Sequence, residues 1–260
     1  MKRLTRLISA SIFLGLIFIL LFSAYTSEAV KRSRRTCSGL EIIIRDSLRN
    51  RFVDKADIKD CLISEFGDFK GKAMDSISLV SIEKTVDARS AVRKSEAYMT
   101  KDGILHISIT QREPVVRFQG KDAGIYADEE GCLFPLQKSY TAHVPVVDGF
   151  LPFRPGPGFK GLPTDTGARE WTGRIVEMIR YMNSTGVWDR NIVQINVREN
   201  GDLVLIPREG REKFIFGPPV QIEDKFRKMG LYYTSIVPAK GEGFYSTVNL
   251  KFEDRIICRK

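Results

Sequence analysis

Apolar residues run unbroken in one place only. From Leu7 to Ser27 no charge interrupts the chain between Arg6 and Glu28. Roughly 21 residues at ~1.5 Å each make roughly 31 Å of helix, about the thickness of a bilayer's hydrocarbon core. A helix satisfies its own backbone amides, which lipid does not, and Tyr25 near the far end suits the membrane–water interface. The pattern predicts one spanning helix over 7–27, with a cytoplasmic tail over 1–6 and a basic linker over 28–36. A cleaved signal peptide is the competing reading, with Phe22-Ser23-Ala24 as its cleavage site. The run is longer than the ~7–15 apolar residues of such a segment, so an anchor is the reading adopted.

Beyond the linker the pattern shortens. Residues 40–44 are β-branched and read as a strand. Asp54 stands where a helix cap belongs, ahead of Ile58, Leu62, Ile63 and Phe66 at helical spacing, and Gly67 closes that helix. Leu79, Ile82 and Val86 mark a second helix. Two extended runs, 91–99 and 104–110, flank Lys101-Asp102-Gly103 as a hairpin. The order is β-α-α-β-β, with the helices on one face of a small mixed sheet.

From 114 onward the chain is mostly extended. Residues 115–118, 124–128 and 132–135 read as strands, the last two about an acidic turn (Asp128, Glu129, Glu130), and 144–149 as another. Residues 151–167 hold four prolines and four glycines and read as a surface loop. Trp171, Ile175, Met178, Ile179 and Met182 then fall on one helical face. Further strands are expected at 192–197, 203–206 and 213–216, with Asn200-Gly201 a strong hairpin signal. Ile222, Phe226 and Met229 mark a short helix that Gly230 is placed to cap. Val248, Leu250 and Phe252 alternate with Asn249 and Lys251, as a half-buried strand does.

Charge changes the picture less than its total suggests. The net charge is +9, but seven of the 41 Lys and Arg and one of the 32 acidic residues lie in 1–36. The remaining 34 and 31 make an ordinary soluble surface, which argues against a nucleic-acid partner. Basic residues flank the apolar run on both sides and set no orientation; the large C-terminal body, expected to be extracytoplasmic, does. Cys37, Cys61, Cys132 and Cys258 have no metal-ligand spacing. If an oxidising compartment allows one bridge, Cys37 to Cys61 is the nearest pair in sequence, with four free thiols the alternative.

Catalytic chemistry finds no foothold. His106 lies in an alternating strand and His143 precedes Val144-Pro145, neither at a metal-ligand interval from Cys, Asp or Glu. The acidic turn reads as solvated, whereas general acid catalysis needs an apolar pocket. No nucleophile elbow, phosphate loop or dinucleotide fingerprint occurs, and Ser246 has no base signalled nearby. The expectation is no enzyme, no cofactor, no metal and no small-molecule substrate.

Several phrases carry a family resemblance. Ile109-Thr110-Gln111-Arg112-Glu113-Pro114, Tyr126-Ala127-Asp128-Glu129-Glu130-Gly131, and Tyr245-Ser246-Thr247-Val248-Asn249-Leu250-Lys251-Phe252 with Ile257-Cys258 resemble the bacterial cell division family FtsQ/DivIB. The 151–167 loop departs most from that pattern. The resemblance implies an α+β chain: one N-terminal transmembrane helix, a β-α-α-β-β POTRA-like domain over 37–113, and a mixed, mainly antiparallel β-domain with two helices over 114–260. It also implies an inner-membrane division scaffold tethering divisome partners at the septum. The partner site it implies is Tyr245, Ser246, Thr247, Val248, Asn249, Leu250 and Phe252, pairing with an FtsB-like single-pass protein that travels with an FtsL-like one. The alternative is a POTRA-containing polypeptide-transport or envelope-assembly protein, which would need about 8 or more barrel strands after the POTRA units. An anchored envelope enzyme is a third reading.

Overall fold

In the computed structural model the described residues are 15–23, 35–47, 49–154, 156 and 158–260. The helix expected over 7–27 therefore lies largely outside them, as does the linker over 28–36. Residues 15–23 are helical with exposed side chains (α1). Among the described residues no helix is long and apolar enough to cross a membrane. The chain divides into two compact units, Met1–Asp46 with Val53–Thr110, and Ser47–Phe52 with Gln111–Lys260.

The first unit follows the β-α-α-β-β order. It runs through β1 (Gly39–Ile44), α2 (Lys55–Phe66), a 3-10 turn (Met74–Ser76), α3 (Leu79–Asp87), β2 (Val92–Met99) and β3 (Ile104–Gln111). Asp54 caps α2 by accepting the Ala56 amide at 2.6 Å, and Ser78 caps α3 by accepting that of Ser81. β1 pairs in parallel with β3, and the sheet order is β1-β3-β2. A parallel neighbour requires a long crossover, which the two helices supply. Ile58, Leu62, Ile82 and Val86 bury against Val92, Leu105, Ile107 and Ile109. His106 points to the opposite face, where its ring stacks on Tyr98 at 4.9 Å.

The second unit is built on nine strands. They are β4 (Pro114–Gln119), β5 (Gly124–Asp128), β6 (Leu133–Pro135), β7 (Val146–Gly149), β8 (Ile192–Val197), β9 (Leu203–Pro207), β10 (Lys213–Gly217), β11 (Thr247–Asn249) and β12 (Ile257–Arg259). Their order across the sheet is β12-β11-β10-β9-β8-β7-β4-β5-β6. β4 with β7, β7 with β8, and β10 with β11 are parallel; the other neighbours are antiparallel. Helices α4 (Thr166–Thr185) and α5 (Trp188–Asn191) make the crossover from β7 to β8. From β10 to β11 the chain passes through α6 (Ile222–Leu231), a π-helical turn (Tyr232–Ile236) and α7 (Val237–Lys240). The α4 face carrying Ile175, Met178, Ile179 and Met182 is buried with Phe214, Phe216, Phe226 and Met229, and Trp171 is only partly covered. Gly149 ends β7 in a left-handed conformation, φ 92, where an added Cβ would overlap the Val197 carbonyl.

Three details differ from the sequence reading, and a fourth falls on one of its alternatives. Gly230 does not end its helix; the helical chain continues through the π turn to Lys240, because Tyr232 is itself buried in the core. The strand expected from Val248 to Phe252 instead spans three residues, Thr247–Asn249. Asp128 is not a solvated turn residue: it is 5% exposed and holds Arg112 at 2.5 Å, while its other oxygen accepts the Glu130 and Cys132 amides. All four cysteines are free, and only Cys37 is buried.

Residues 47–52 belong to the second unit and are fastened there by Phe52. Its ring is 5% exposed and lies 5.0 Å from Tyr140, 5.7 Å from Tyr126 and 6.0 Å from Phe134. Gln111 donates to the Asn50 carbonyl at 2.8 Å, and Ser139 to that of Phe52. Truncating a buried aromatic ring typically costs about 3–5 kcal/mol. Phe52→Ala should lower the denaturant midpoint of the second unit accordingly; an unchanged midpoint would mean that this aromatic cluster does not hold the segment.

Candidate functional site

A sheet must end in strands with one neighbour, and those rims expose backbone donors and acceptors. At one rim of the nine-stranded sheet the exposure is relieved: Leu133 of β6 exchanges two backbone hydrogen bonds with Gly161, at 2.8 and 3.0 Å. That bridge comes from within the Pro- and Gly-rich loop. At the other rim stands β12, paired with β11 alone. No further strand or bridge lies outside β12 among the described residues.

The backbone directions along this rim follow from three bonds. Lys213 donates to the Ser246 carbonyl, Leu250 donates to that of Ile215, and the Ser246 amide donates to the Arg259 carbonyl, so beyond that amide the even-numbered groups, from the Ser246 carbonyl through Val248 to Leu250, face β10. Thr247 and Asn249 then face β12, opposite Arg259 and Ile257. Backbone groups alternate along a strand, which leaves the N–H and C=O of Cys258 pointing away from the sheet.

The residues expected from sequence as the partner site fall in different places on this rim. Ser246 to Leu250 is an interior stretch whose backbone is spent on β10 and β12. Val248 and Leu250 are fully buried, with 0% exposure. Three aromatic rings do reach the surface. Phe252 is 44% exposed with the Arg255 guanidinium 5.6 Å from its ring. Phe244 is 39% exposed with the Lys260 ammonium at 4.3 Å, and half-buried Tyr245 meets it edge-on at 4.9 Å. The rim thus carries an open backbone, two cation-covered rings and the exposed base Arg259.

The rim is braced from behind by α6. Gly217 has φ 77 and Pro218 and Pro219 lack amide hydrogens, so β10 stops there and the chain turns. Gln221, at φ 54, is the one described non-glycine residue in the left-handed region; its side chain donates to Glu253 at 3.1 Å. Lys228 donates to the Phe252 carbonyl at 2.8 Å and pairs with Asp224 at 2.6 Å. Lys251 pairs with Asp202 at 2.7 Å. Lys225, 2% exposed, donates to the Pro218 carbonyl at 2.8 Å and lies 4.9 Å from the Phe216 ring. The helical spacing of Ile222, Phe226 and Met229 marks the buried face but says nothing of these lysines, which lie beside it at i and i+3.

The electrostatics follow from this burial. Desolvation, with Lys228 nearby, pulls Lys225 down to about 8. Burial, with Glu212 next, pushes Tyr232 up to about 12. Tyr233 is raised by burial and by donating to Glu212 at 2.9 Å. Burial also raises the Cys258 thiol, which keeps it in the unreactive protonated form. Among the described residues no group of three or more His, Cys, Asp or Glu is placed to hold a metal ion.

Lys225 generates a pH test. Between pH 8 and 10.5 the unfolded chain holds its proton more tightly than the folded one, so this residue's contribution to stability rises with pH. Wild type should therefore gain stability relative to Lys225→Met as pH climbs from 8 to 10.5, with a constant difference below 8. Parallel denaturation profiles across that window would contradict the assignment.

Comparison with known proteins bears on what such a rim is for. Residues 113–259 match the family described as FtsQ/DivIB, C-terminal related, and residues 35–110 match the POTRA-like domain. No curated protein matches the chain. The first match takes in more than half of the 260 residues and every strand of the large sheet, so this chain belongs to the FtsQ/DivIB C-terminal related family, a non-enzymatic division family, and carries a POTRA-like domain ahead of that region.

Proposed function

We infer that this chain is a single-pass division scaffold, without catalytic activity, that tethers divisome partners through an extracytoplasmic sheet rim. Family membership supports the division role. The apolar run at 7–27 supports the anchor, a short cytoplasmic N-terminus and an extracytoplasmic body. The observation that carries the reading is β12: an outermost strand with one neighbour, whose Cys258 backbone faces outward and whose supports are buried. An extended partner segment adds to such a rim by backbone pairing, and alternate side chains supply selectivity.

The partner is an FtsB-like single-pass protein accompanied by an FtsL-like one. Backbone pairing falls on β12, and Phe244, Tyr245 and Phe252 supply the apolar contacts. Ser246, Thr247, Val248, Asn249 and Leu250 act one strand further in, holding β12 in place. The rim's bases, Arg255, Arg259 and Lys260, favour acidic side chains on the incoming segment. Anchoring scaffold and partner in one membrane raises their effective concentration, so a short interface suffices.

Two substitutions separate recognition from support. Proline at an outward-facing rim position removes a donor and blocks an added strand while leaving inner pairing intact. Cys258→Pro in the full chain, co-expressed with the FtsB-like and FtsL-like proteins of the same organism, should weaken co-purification tenfold or more without lowering the unfolding midpoint. Leu250→Ala should instead lose about 2–5 kcal/mol of stability. Undiminished capture by folded Cys258→Pro would remove β12 from the interface.

A further inference from the structure

The small sheet has two rims, β1 and β2, and the treatment of β2 is different. β2 lies at the end of the β1-β3-β2 sheet. Thr100, just past β2, donates its amide to Ile104 of β3. By alternation the amides of Ser95 and Ala97 point the other way, out of the sheet. These are the donors that an added strand would use. Both are already occupied, by carboxylates from α3. Asp87 Oδ1 accepts the Ser95 amide at 2.6 Å and the Ser95 hydroxyl at 2.8 Å. Glu83 Oε1 accepts the Ala97 amide at 2.8 Å, and its main-chain carbonyl also takes the Ser95 hydroxyl, at 3.3 Å.

The spacing makes the arrangement possible. Glu83 and Asp87 are one helical turn apart on α3, about 6 Å of rise. Ser95 and Ala97 are two residues apart on β2, about 7 Å. A carboxylate at each end of a helical turn thus meets two successive outward amides, those of Ser95 and Ala97, at the middle of the strand. Ile82 and Val86, the neighbouring positions on α3, are buried in the core and fix the helix in that place. Charge-assisted bonds of this kind are stronger than the neutral amide–carbonyl pair that a competing strand would offer.

We propose that Glu83 and Asp87 close the β2 rim to strand addition, and so act as specificity-determining residues that keep pairing away from this edge. The proposal rests on the strand-pairing reading only in what it contributes to selectivity; closure of β2 is a property of the first unit alone. When the carboxylates are removed, the strand that occupies the opened rim is β2 of a second copy. Two β2 strands are identical in sequence and pair antiparallel about a two-fold axis.

The test uses the full chain in detergent, without any partner, and reads molar mass by sedimentation. Glu83→Ala with Asp87→Ala should approximately double the protein mass relative to wild type at high concentration. Adding Ala97→Pro to that double variant should restore the wild-type mass, because proline blocks pairing at this position. Glu83→Gln with Asp87→Asn keeps an accepting oxygen at each site and should keep the wild-type mass. Hydrogen exchange gives a second readout on wild type, in which the Ser95 and Ala97 amides should be slow. Rapid exchange at both, or a folded double-alanine variant that keeps the wild-type mass, would overturn the proposal. An increase in mass that Ala97→Pro does not reverse would overturn it too, since association would then run through another surface. None of these outcomes depends on β12 or its partner.

Discussion

Backbone amides at the rim of a sheet need partners, and this chain supplies them at two rims and not at a third. At β6 a turn of the Pro- and Gly-rich loop bridges Leu133 through Gly161. At β2 two carboxylates of a neighbouring helix take the two central outward amides, those of Ser95 and Ala97. At β12 no segment among the described residues performs that service, and the outward groups of Cys258 are left for another molecule. An unpaired rim is ordinarily a hazard, because it invites any extended chain to add to it. Covering β6 and β2 while leaving β12 uncovered therefore makes these three of the four sheet rims unequal as sites for an added strand.

Leaving a rim open demands that the strand behind it be rigid, and the cost of that rigidity is visible in α6. Lysines are rarely buried unless partnered, yet Lys225 and Lys228 are both within the fold. Each spends its ammonium on a backbone carbonyl, Pro218 for one and Phe252 for the other. Those carbonyls lie where the chain leaves β10 and where it turns between β11 and β12. Asp202 adds a third tie through Lys251. The lowered proton affinity of Lys225 is the electrostatic trace of this arrangement.

Much of the fold is legible in the chain because hydrophobic period and turn chemistry agree along it. Asp54 lies at a helix start, and Ile82 with Val86 face the core as their spacing requires. The Asn200-Gly201 turn joins β8 to β9, with Gly201 at φ 82. What failed was tertiary in origin. Val248 and Leu250 alternate as rim residues would, but alternation does not say whether a strand has one neighbour or two. The parallel pairing of β10 with β11 and the return of β12 set that, and both are long-range. Asp128 reads as one of three consecutive acids in a turn; only its partner Arg112, sixteen residues earlier, makes it a buried anchor. Glu83 and Asp87 read as the polar side of an amphipathic helix, which conceals that they face a strand rather than water.

Partner strands are proposed to add at β12 rather than at β2 or β6. Hydrogen exchange of the full chain, alone and mixed with the proposed FtsB-like and FtsL-like proteins, distinguishes these rims. On complex formation the segment 253–260 should become strongly protected, led by the Cys258 amide, while 92–99 should exchange as in the free protein. Protection appearing at 92–99, or elsewhere with 253–260 unchanged, would contradict the account.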